Sequence, residues 1–236
     1  MGLLRQRLAA GLAWGREHLE FELLGLIAAV MGAAWIFLAV AEEVREGETA
    51  PFDRAVLLAL RTPGNPSDPI GPPAVEEMMR DLTALGGVAV LGPLTLAAAG
   101  LLWLLGRRRS VWLLLVAVIG GQVFSSTAKF LFDRPRPDLV PHGALVTSAS
   151  FPSGHSMMAA VTYLTLAAMI ARTQESRAVR IYLVALAAGL SFAVGASRVY
   201  LGVHWPTDVI AGWAAGAGWA MLCLLAADRI ARGRDG

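Results

Sequence analysis

Residues 209–227 read VIAGWAAGAGWAMLCLLAA, a stretch without a single charged side chain. An α-helix rises about 1.5 Å per residue, so a stretch of this length nearly crosses the hydrocarbon core of a bilayer, which is about 30 Å thick. Its glycines and alanines favour close helix packing, because packing rather than hydrophobicity drives helix association in lipid. The stretch therefore predicts a membrane-spanning helix whose glycines serve packing.

Apolar runs of this kind recur along the chain. The 236 residues are 56% hydrophobic and only 16% charged, whereas soluble domains carry about 25% charged residues. This composition excludes an ordinary soluble domain and, more firmly, a disordered chain. We expect an all-α polytopic membrane protein forming a single membrane-embedded domain over residues 1–236. Its six predicted spans are Phe21–Ala41, Leu85–Leu105, Val111–Ala128, Ser156–Ile170, Ile181–Val194 and Val209–Ala227.

The positions of the basic residues predict the orientation of these spans. Twelve of the 20 Lys and Arg residues fall in the N-terminal tail (residues 1–20), the turns after the second and fourth spans, and the C-terminal tail. Basic loops stay in the cytoplasm, so both termini are expected there, in an integral plasma or inner membrane protein. The net charge of +2 comes from scattered residues, so no nucleic-acid partner is expected.

The first outward loop, residues 42–81, is the longest. Phe52, Val56, Leu57 and Leu60 recur at helical spacing after Pro51, which suits the first turn of a helix. The pattern predicts either a short amphipathic helix at the membrane surface or a solvated connector.

The second outward loop begins with a basic cluster. Lys129 is followed by six residues and then Arg136, with Arg134 two positions before it. Cations at the membrane edge are costly to desolvate unless they bind an anion or pair with acids. The cluster therefore indicates an anion site. The alternative is interfacial snorkelling, with Asp133 and Asp138 neutralising part of the charge.

The same loop ends in Phe151-Pro152-Ser153-Gly154-His155, directly before the fourth span. Ser153 suits a helix N-cap, and Gly154 lets a ligand approach the backbone closely. The free amides at the start of a helix bind anions, and His155 could deliver a proton there. A simple helix cap with an incidental interfacial histidine is the alternative.

The third outward loop carries Arg198, His204 and Asp208. Pro206 suggests that the sixth helix begins there, so one helical turn could bring Asp208 to an imidazole nitrogen of His204. That contact would fix the tautomer and leave the other nitrogen free to act as a nucleophile. Asp208 could instead pair with a basic neighbour. Each loop has a structural explanation of its own, but their occurrence on one predicted face favours a shared site.

Together the three loops resemble the three signature motifs of the type 2 phosphatidic acid phosphatase family. The match comprises Lys129-x6-Arg136-Pro137, Pro152-Ser153-Gly154-His155 and Ser197-Arg198-x5-His204-x3-Asp208, in order and in internal spacing. The resemblance implies that phosphate is bound by Lys129, Arg136, Ser153, Gly154 and Arg198. It also implies that His155 is the general acid, His204 the nucleophile and Asp208 the residue that orients His204. Arg134 receives no role beyond added positive field.

Together with the predicted position of the three loops at the outer face, the resemblance indicates a lipid phosphatase in which attack by His204 forms a phosphohistidine. Its substrates would be phosphatidic acid, phosphatidylglycerol phosphate or undecaprenyl pyrophosphate, and it would need no metal or other cofactor. A metal site at His155, His204 and Asp208 is disfavoured because the neighbouring cations would repel a divalent ion. The alternatives are a phosphotransferase, a lipid-phosphate transporter, which would need no nucleophile, and a soluble vanadate-dependent peroxidase, which the spans disfavour.

Overall fold

The computed structural model describes the backbone of residues 2–142 and 148–232, and side chains between residues 23 and 230 of those ranges. These residues form eight helices and one two-stranded hairpin, which confirms the all-α class and adds a hairpin that the sequence did not predict. The elements are α1 Gly2–Glu46, α2 Ala50–Ala59, β1 Arg61–Thr62, β2 Asn65–Pro69, α3 Pro73–Ala84, α4 Val88–Leu104, α5 Arg108–Phe132, α6 Gly154–Ala171, α7 Arg177–Tyr200 and α8 Pro206–Arg232. Arg234 and the side chains of the N-terminal basic cluster lie outside the described residues.

Five helices within the described residues are long and apolar enough to cross a membrane, namely Leu23–Glu46 of α1, α5, α6, α7 and α8 up to Ile230. A sixth span results if α3 and α4, which are bent by 43° relative to each other, count as one. Gly86 and Gly87 lie at this bend. The expected six spans therefore correspond to the higher of the two counts.

The segment predicted as the first outward loop, residues 42–81, is folded. The helix predicted after Pro51 is present as α2, and it buries Asp53 and Leu57. Leu57 is fully buried against Val140, Val199 and Val209, so the alternative of a solvated connector is wrong. The chain then turns through the β1–β2 hairpin and enters α3, a polar helix that the sequence analysis did not predict.

Helix α6 lies at the centre of the bundle and packs against α5, α7 and α8. The contact with α8 depends on glycine. A Cβ at Gly212 would lie 2.7 Å from the Ser153 carbonyl oxygen, and one at Gly216 would lie 2.5 Å from that of Met157. This confirms the packing role predicted for the glycines of the last span. The close approach also sets the first turn of α6 beside the first turn of α8.

Candidate active site

The predicted site residues all lie at one end of the bundle, where the C-termini of α5 and α7 meet the N-termini of α6 and α8. Helix α5 carries Lys129, the following loop carries Arg136, and α6 begins with Gly154 and His155. Helix α7 carries Arg198 in its last turn, and α8 carries Asp208 in its first turn. Four helix ends therefore contribute side chains to one region.

His204 is only 1% exposed and contacts a polar group on each ring nitrogen. Its Nδ1 lies 3.4 Å from Oδ2 of Asp208, and its Nε2 lies 3.2 Å from Nη1 of Arg136. A guanidinium can only donate, so Nε2 accepts and the ring proton lies on Nδ1, facing the carboxylate. The predicted His204–Asp208 contact is therefore present, although the distance is long for a hydrogen bond.

The protonation state of His204 follows from its burial. The pKa of His204 is lowered to about 3, chiefly by burial and also by the Arg198 and Arg136 charges, against the opposing effect of Asp208. The imidazole is consequently neutral near pH 7. A neutral ring keeps a lone pair on Nε2, which a nucleophile requires.

Asp208 is fully buried, and both of its carboxylate oxygens have partners. Oδ2 accepts from the Ser150 hydroxyl and from the Trp205 N–H, the latter at 2.9 Å. Oδ1 accepts from Nη1 of Arg134 at 2.6 Å. Both readings of this residue from the sequence are therefore realised, since Asp208 contacts His204 and also pairs with a basic neighbour.

Lys129 and Arg136 are held by backbone carbonyls. Nζ of Lys129 donates to the Ala149 carbonyl oxygen at 2.5 Å. Arg136 donates through Nε to the Ser148 carbonyl at 2.8 Å and through Nη1 to the Val203 carbonyl at 2.6 Å. Burial lowers the pKa of the Arg136 guanidinium below its ordinary value, but arginine remains charged near neutral pH.

Arg198 is 3% exposed and donates through Nη1 to the Thr83 hydroxyl at 2.9 Å. Within the described part of the chain, its buried Nε has no hydrogen-bond partner. A buried guanidinium N–H without an acceptor is costly, so this donor favours an anion as its partner. Thr83 comes from α3, a helix that the sequence analysis did not predict.

The start of α6 has the predicted cap. Oγ of Ser153 accepts from the Ser156 amide at 3.4 Å and from the Ser156 hydroxyl at 2.9 Å. The Ser153 N–H donates to the Asp208 carbonyl oxygen at 2.9 Å, which joins the second and third motifs through the main chain. A Cβ at Gly154 would lie 3.5 Å from Cε of Lys129, so the space that this glycine leaves open borders Lys129.

His155 is half-buried at the beginning of α6. It packs against the bend between α3 and α4, where a Cβ at Gly87 would lie 3.6 Å from its Nε2 and one at Gly86 would lie 3.2 Å from its Cβ. The two glycines at the bend therefore leave room for the imidazole. No sequence pattern connected this glycine pair with the site.

Arg134 has a different environment from the one predicted. It pairs with Asp208 and with Asp53, at 2.6 Å and 2.7 Å, so two carboxylates balance its charge. It therefore does not add net positive field to the site. Asp53 is a residue that the sequence analysis missed, and its spacing to Leu57 and Leu60 was a usable signal, because it places a carboxylate on the apolar face of α2.

Residues 110–232 match the family model of the PAP2 superfamily. The chain belongs to the PAP2 superfamily. The matched segment contains all three motifs, and the family predicted from them is confirmed.

Named relatives of this PAP2 protein are lipid phosphatases. It is 37% identical over 151 residues to phosphatidylglycerophosphatase B of Bacillus subtilis, covering 61% of this chain and 71% of the relative. It is 32% identical over 126 residues to an undecaprenyl-diphosphatase of Sulfolobus acidocaldarius, covering 50% and 55%. It is also 30% identical over 174 residues to a lipid A 1-phosphatase of Rhizobium etli, covering 64% and 70%.

Two solved structures share the fold of this PAP2 protein. A transmembrane PAP2 type phosphatidylglycerolphosphate phosphatase from Bacillus subtilis matches with a TM-score of 0.77 and 27% identity, covering 85% of this chain and 96% of that one. LpxE of Aquifex aeolicus matches with a TM-score of 0.53 and 26% identity, covering 66% and 88%. The chain is therefore an integral membrane protein with a PAP2 phosphatase fold.

Proposed function

We propose that this PAP2 protein removes the terminal phosphate of a lipid phosphate or pyrophosphate at the outer membrane face, through a phosphohistidine on His204. The observation that carries the proposal is the environment of His204. Its Nδ1 faces Asp208 and its Nε2 faces the Arg136 guanidinium. A neutral nucleophile beside a phosphate-binding cation is the arrangement that phosphoryl transfer to histidine needs.

The phosphate-binding role of the surrounding groups is supported by their charge. Lys129, Arg136 and Arg198 would neutralise the phosphoryl oxygens, and the unpaired Nε of Arg198 would gain an acceptor. The first amides of α6, after the Ser153 cap and at Gly154, would add backbone donors at the positive end of the helix dipole.

The reaction would proceed in two balanced steps. Nε2 of His204 attacks phosphorus, the bond from phosphorus to the leaving oxygen breaks, and His155 donates its proton to that oxygen. Water then attacks phosphorus, His155 takes up a proton from the water, and the phosphorus–nitrogen bond breaks to release inorganic phosphate. Asp208 stabilises the positive charge that develops on His204. No step uses a metal, since the three cations supply the charge stabilisation.

A lipid substrate fits the surroundings of the site. Phe130 and Leu131, which adjoin Lys129 in the chain, are 85% and 72% exposed, so apolar surface borders the basic residues. A lipid tail could remain in the bilayer beside this surface while its head group reaches the cations. Phosphatidic acid, phosphatidylglycerol phosphate and undecaprenyl pyrophosphate all present a terminal phosphate, and the relatives act on phosphates of these lipid types or of lipid A, by their names.

The proposal is tested by release of inorganic phosphate from these three lipids by the detergent-purified protein. His204→Ala and His155→Ala should each lower the rate about a thousandfold or more, because each removes a group that makes or breaks bonds. His142→Ala is the matched control, since His142 lies in the same outer segment and its one hydrogen bond among the described groups is to the Pro137 carbonyl. It should retain the wild-type rate.

Two outcomes would contradict the proposal. Full phosphate release by His204→Ala would exclude His204 as the nucleophile. If the wild-type protein released phosphate only when an acceptor alcohol was supplied, the phosphotransferase alternative would replace hydrolysis. Size-exclusion elution and thermal stability of each variant, compared with wild type, establish that the site rather than the fold was changed.

A further inference from the structure

The outer helix α2 reaches the first turn of α8 through a buried carboxylate. Asp53 is fully buried although it belongs to a short helix at the edge of the molecule. Its Oδ1 accepts from the Thr207 N–H at 3.0 Å, and its Oδ2 accepts from the Thr207 hydroxyl at 2.8 Å. Thr207 immediately precedes Asp208, so Asp53 is attached to the chain next to the residue that faces His204.

Arg134 joins the same carboxylate to Asp208. Its Nη2 donates to Asp53 at 2.7 Å and to the Thr49 hydroxyl at 3.0 Å. Its Nη1 donates to Asp208 at 2.6 Å and to the Thr207 hydroxyl at 2.9 Å. The planar guanidinium therefore spans two carboxylates that belong to different helices, which is a geometry that lysine could not reproduce.

The charges in this network determine how strongly the negative charge of Asp208 acts on the His204 imidazole. Asp208 has one oxygen on Arg134 and the other near His204. With Asp53 present, the positive charge of Arg134 is shared by two carboxylates. Without it, Asp208 alone would balance Arg134, and less of its negative charge would act on the imidazole. Burial strengthens this effect, because water does not screen the groups.

We propose that Asp53 is a positioning residue for phosphoryl transfer, acting through Arg134 and Thr207 to hold Asp208 in place and to keep its negative charge directed at His204. This inference rests on the proposed function, because it presupposes that His204 receives the phosphoryl group. Asp53 lies outside the three motifs and does not touch His204. This role would make α2 a helix that supports catalysis and not only a helix at the protein surface.

The rival explanation is that Asp53 only ties α2 to the bundle. The two explanations differ in kinetics. A purely structural tie would change the amount of folded enzyme or its thermal stability, and the folded fraction would turn over normally. A positioning role would lower kcat in the folded protein and leave KM nearly unchanged, because the developing charge on His204 exists only after binding.

The test is steady-state phosphate release from phosphatidic acid in detergent micelles by wild type, Asp53→Asn, Asp53→Glu and His204→Ala. Asp53→Asn keeps the size of the side chain and removes its charge. We expect its kcat to fall about tenfold or more, the effect of losing one charge-assisted partner, with KM within about twofold of wild type. Asp53→Glu restores the charge and should have a higher kcat than Asp53→Asn. A role in packing alone would instead favour the isosteric asparagine.

The matched control is Asp68→Asn. Asp68 is an exposed aspartate of the hairpin that accepts a hydrogen bond from the Thr62 hydroxyl, and its variant should behave as wild type.

The outcomes separate this inference from the proposed function. If His204→Ala is inactive and Asp53→Asn turns over within twofold of wild type, or loses only affinity, the positioning role is overturned and the proposed function stands. If His204→Ala keeps its activity, the proposed function fails and the positioning role fails with it. If Asp53→Glu does not fold, the kcat and KM of Asp53→Asn still decide between positioning and tethering.

Discussion

The basic residues of the site divide into two groups by the charge of their hydrogen-bond partners. Lys129 and Arg136 donate to backbone carbonyls, and Arg198 donates to a threonine hydroxyl. These partners are neutral, so the three side chains keep their full charge for an anion. Arg134, in contrast, is paired with two carboxylates and has no charge to spare. The pairing pattern thus separates the residues suited to bind phosphate from the one that organises the site.

Three cations whose hydrogen-bond partners among the described residues are neutral lie at the end of the bundle that holds His204, so we expect activity without a divalent ion. Phosphate release should be unchanged when EDTA is present in excess over any divalent ion. Orthovanadate should inhibit, since it adopts the five-coordinate geometry of the transferring phosphoryl group. The measurement is the rate of phosphate release from phosphatidic acid, with a Mg²⁺-dependent phosphatase as the positive control for chelation. Loss of activity in EDTA that Mg²⁺ restores would contradict the metal-independent scheme.

Side-chain contacts between residues close in the chain could be predicted from the sequence, whereas contacts between distant residues could not. His204 and Asp208 are four positions apart, so their contact could be predicted from helical spacing. Asp53 and Arg134 are separated by 81 positions, and no local rule connects them. Thr83 was missed for the same reason, since its partner Arg198 is 115 positions away.

At the scale of elements, the site depends on how closely α8 approaches α6. The glycines at positions 212 and 216 place α8 directly against the α6 backbone. The first turns of the two helices are adjacent, and they carry His155 and Asp208. Any substitution that separates the helices should therefore affect both stability and the site.

Gly216→Ala is expected to destabilise the protein by about 1–3 kcal/mol, because its Cβ would lie 2.5 Å from the Met157 carbonyl oxygen. Gly100→Ala is the matched control, since a Cβ there meets nothing within 4 Å and alanine favours the helix. The measurement is the thermal midpoint of both variants in one detergent. Equal midpoints for the two variants would show that the seam between α6 and α8 tolerates expansion.

Hydropathy predicted the long elements better than the short ones. The spans at α5, α6, α7 and α8 were found because each is a continuous apolar run. Helix α3 was missed because its sequence, PAVEEMMRDLTA, carries four charged residues and resembles a loop by composition. The bend between α3 and α4 lies at the glycine pair 86–87, and hydropathy contains no information about such a bend.

For the whole molecule, the distribution of arginine and the location of the site predict one orientation in the membrane. Arg172 and Arg177 lie near the turn between α6 and α7, at the opposite ends of these helices from His155 and Arg198. Under the positive-inside rule, this turn would be cytoplasmic and the site would face outward. An outward site agrees with substrates that carry their phosphate on the outer leaflet.

This orientation can be measured with single cysteines in a Cys223→Ser background. Asp68→Cys on the exposed hairpin should react with a membrane-impermeant maleimide on intact cells. Glu175→Cys, exposed in the turn between α6 and α7, should react only after permeabilisation. The reverse pattern would place the site in the cytoplasm and contradict an outer-leaflet substrate.

The hydrogen bond from the Ser153 amide to the Asp208 carbonyl, 2.9 Å long, joins main chain to main chain. Because every amino acid except proline supplies the same amide and carbonyl, drift in the side chains at these positions leaves the link in place. The main chain thus links the first turn of α8 to the N-cap of α6, two residues before His155. Side-chain changes at positions 153 and 208 are therefore expected to leave the register between the second and third motifs unchanged.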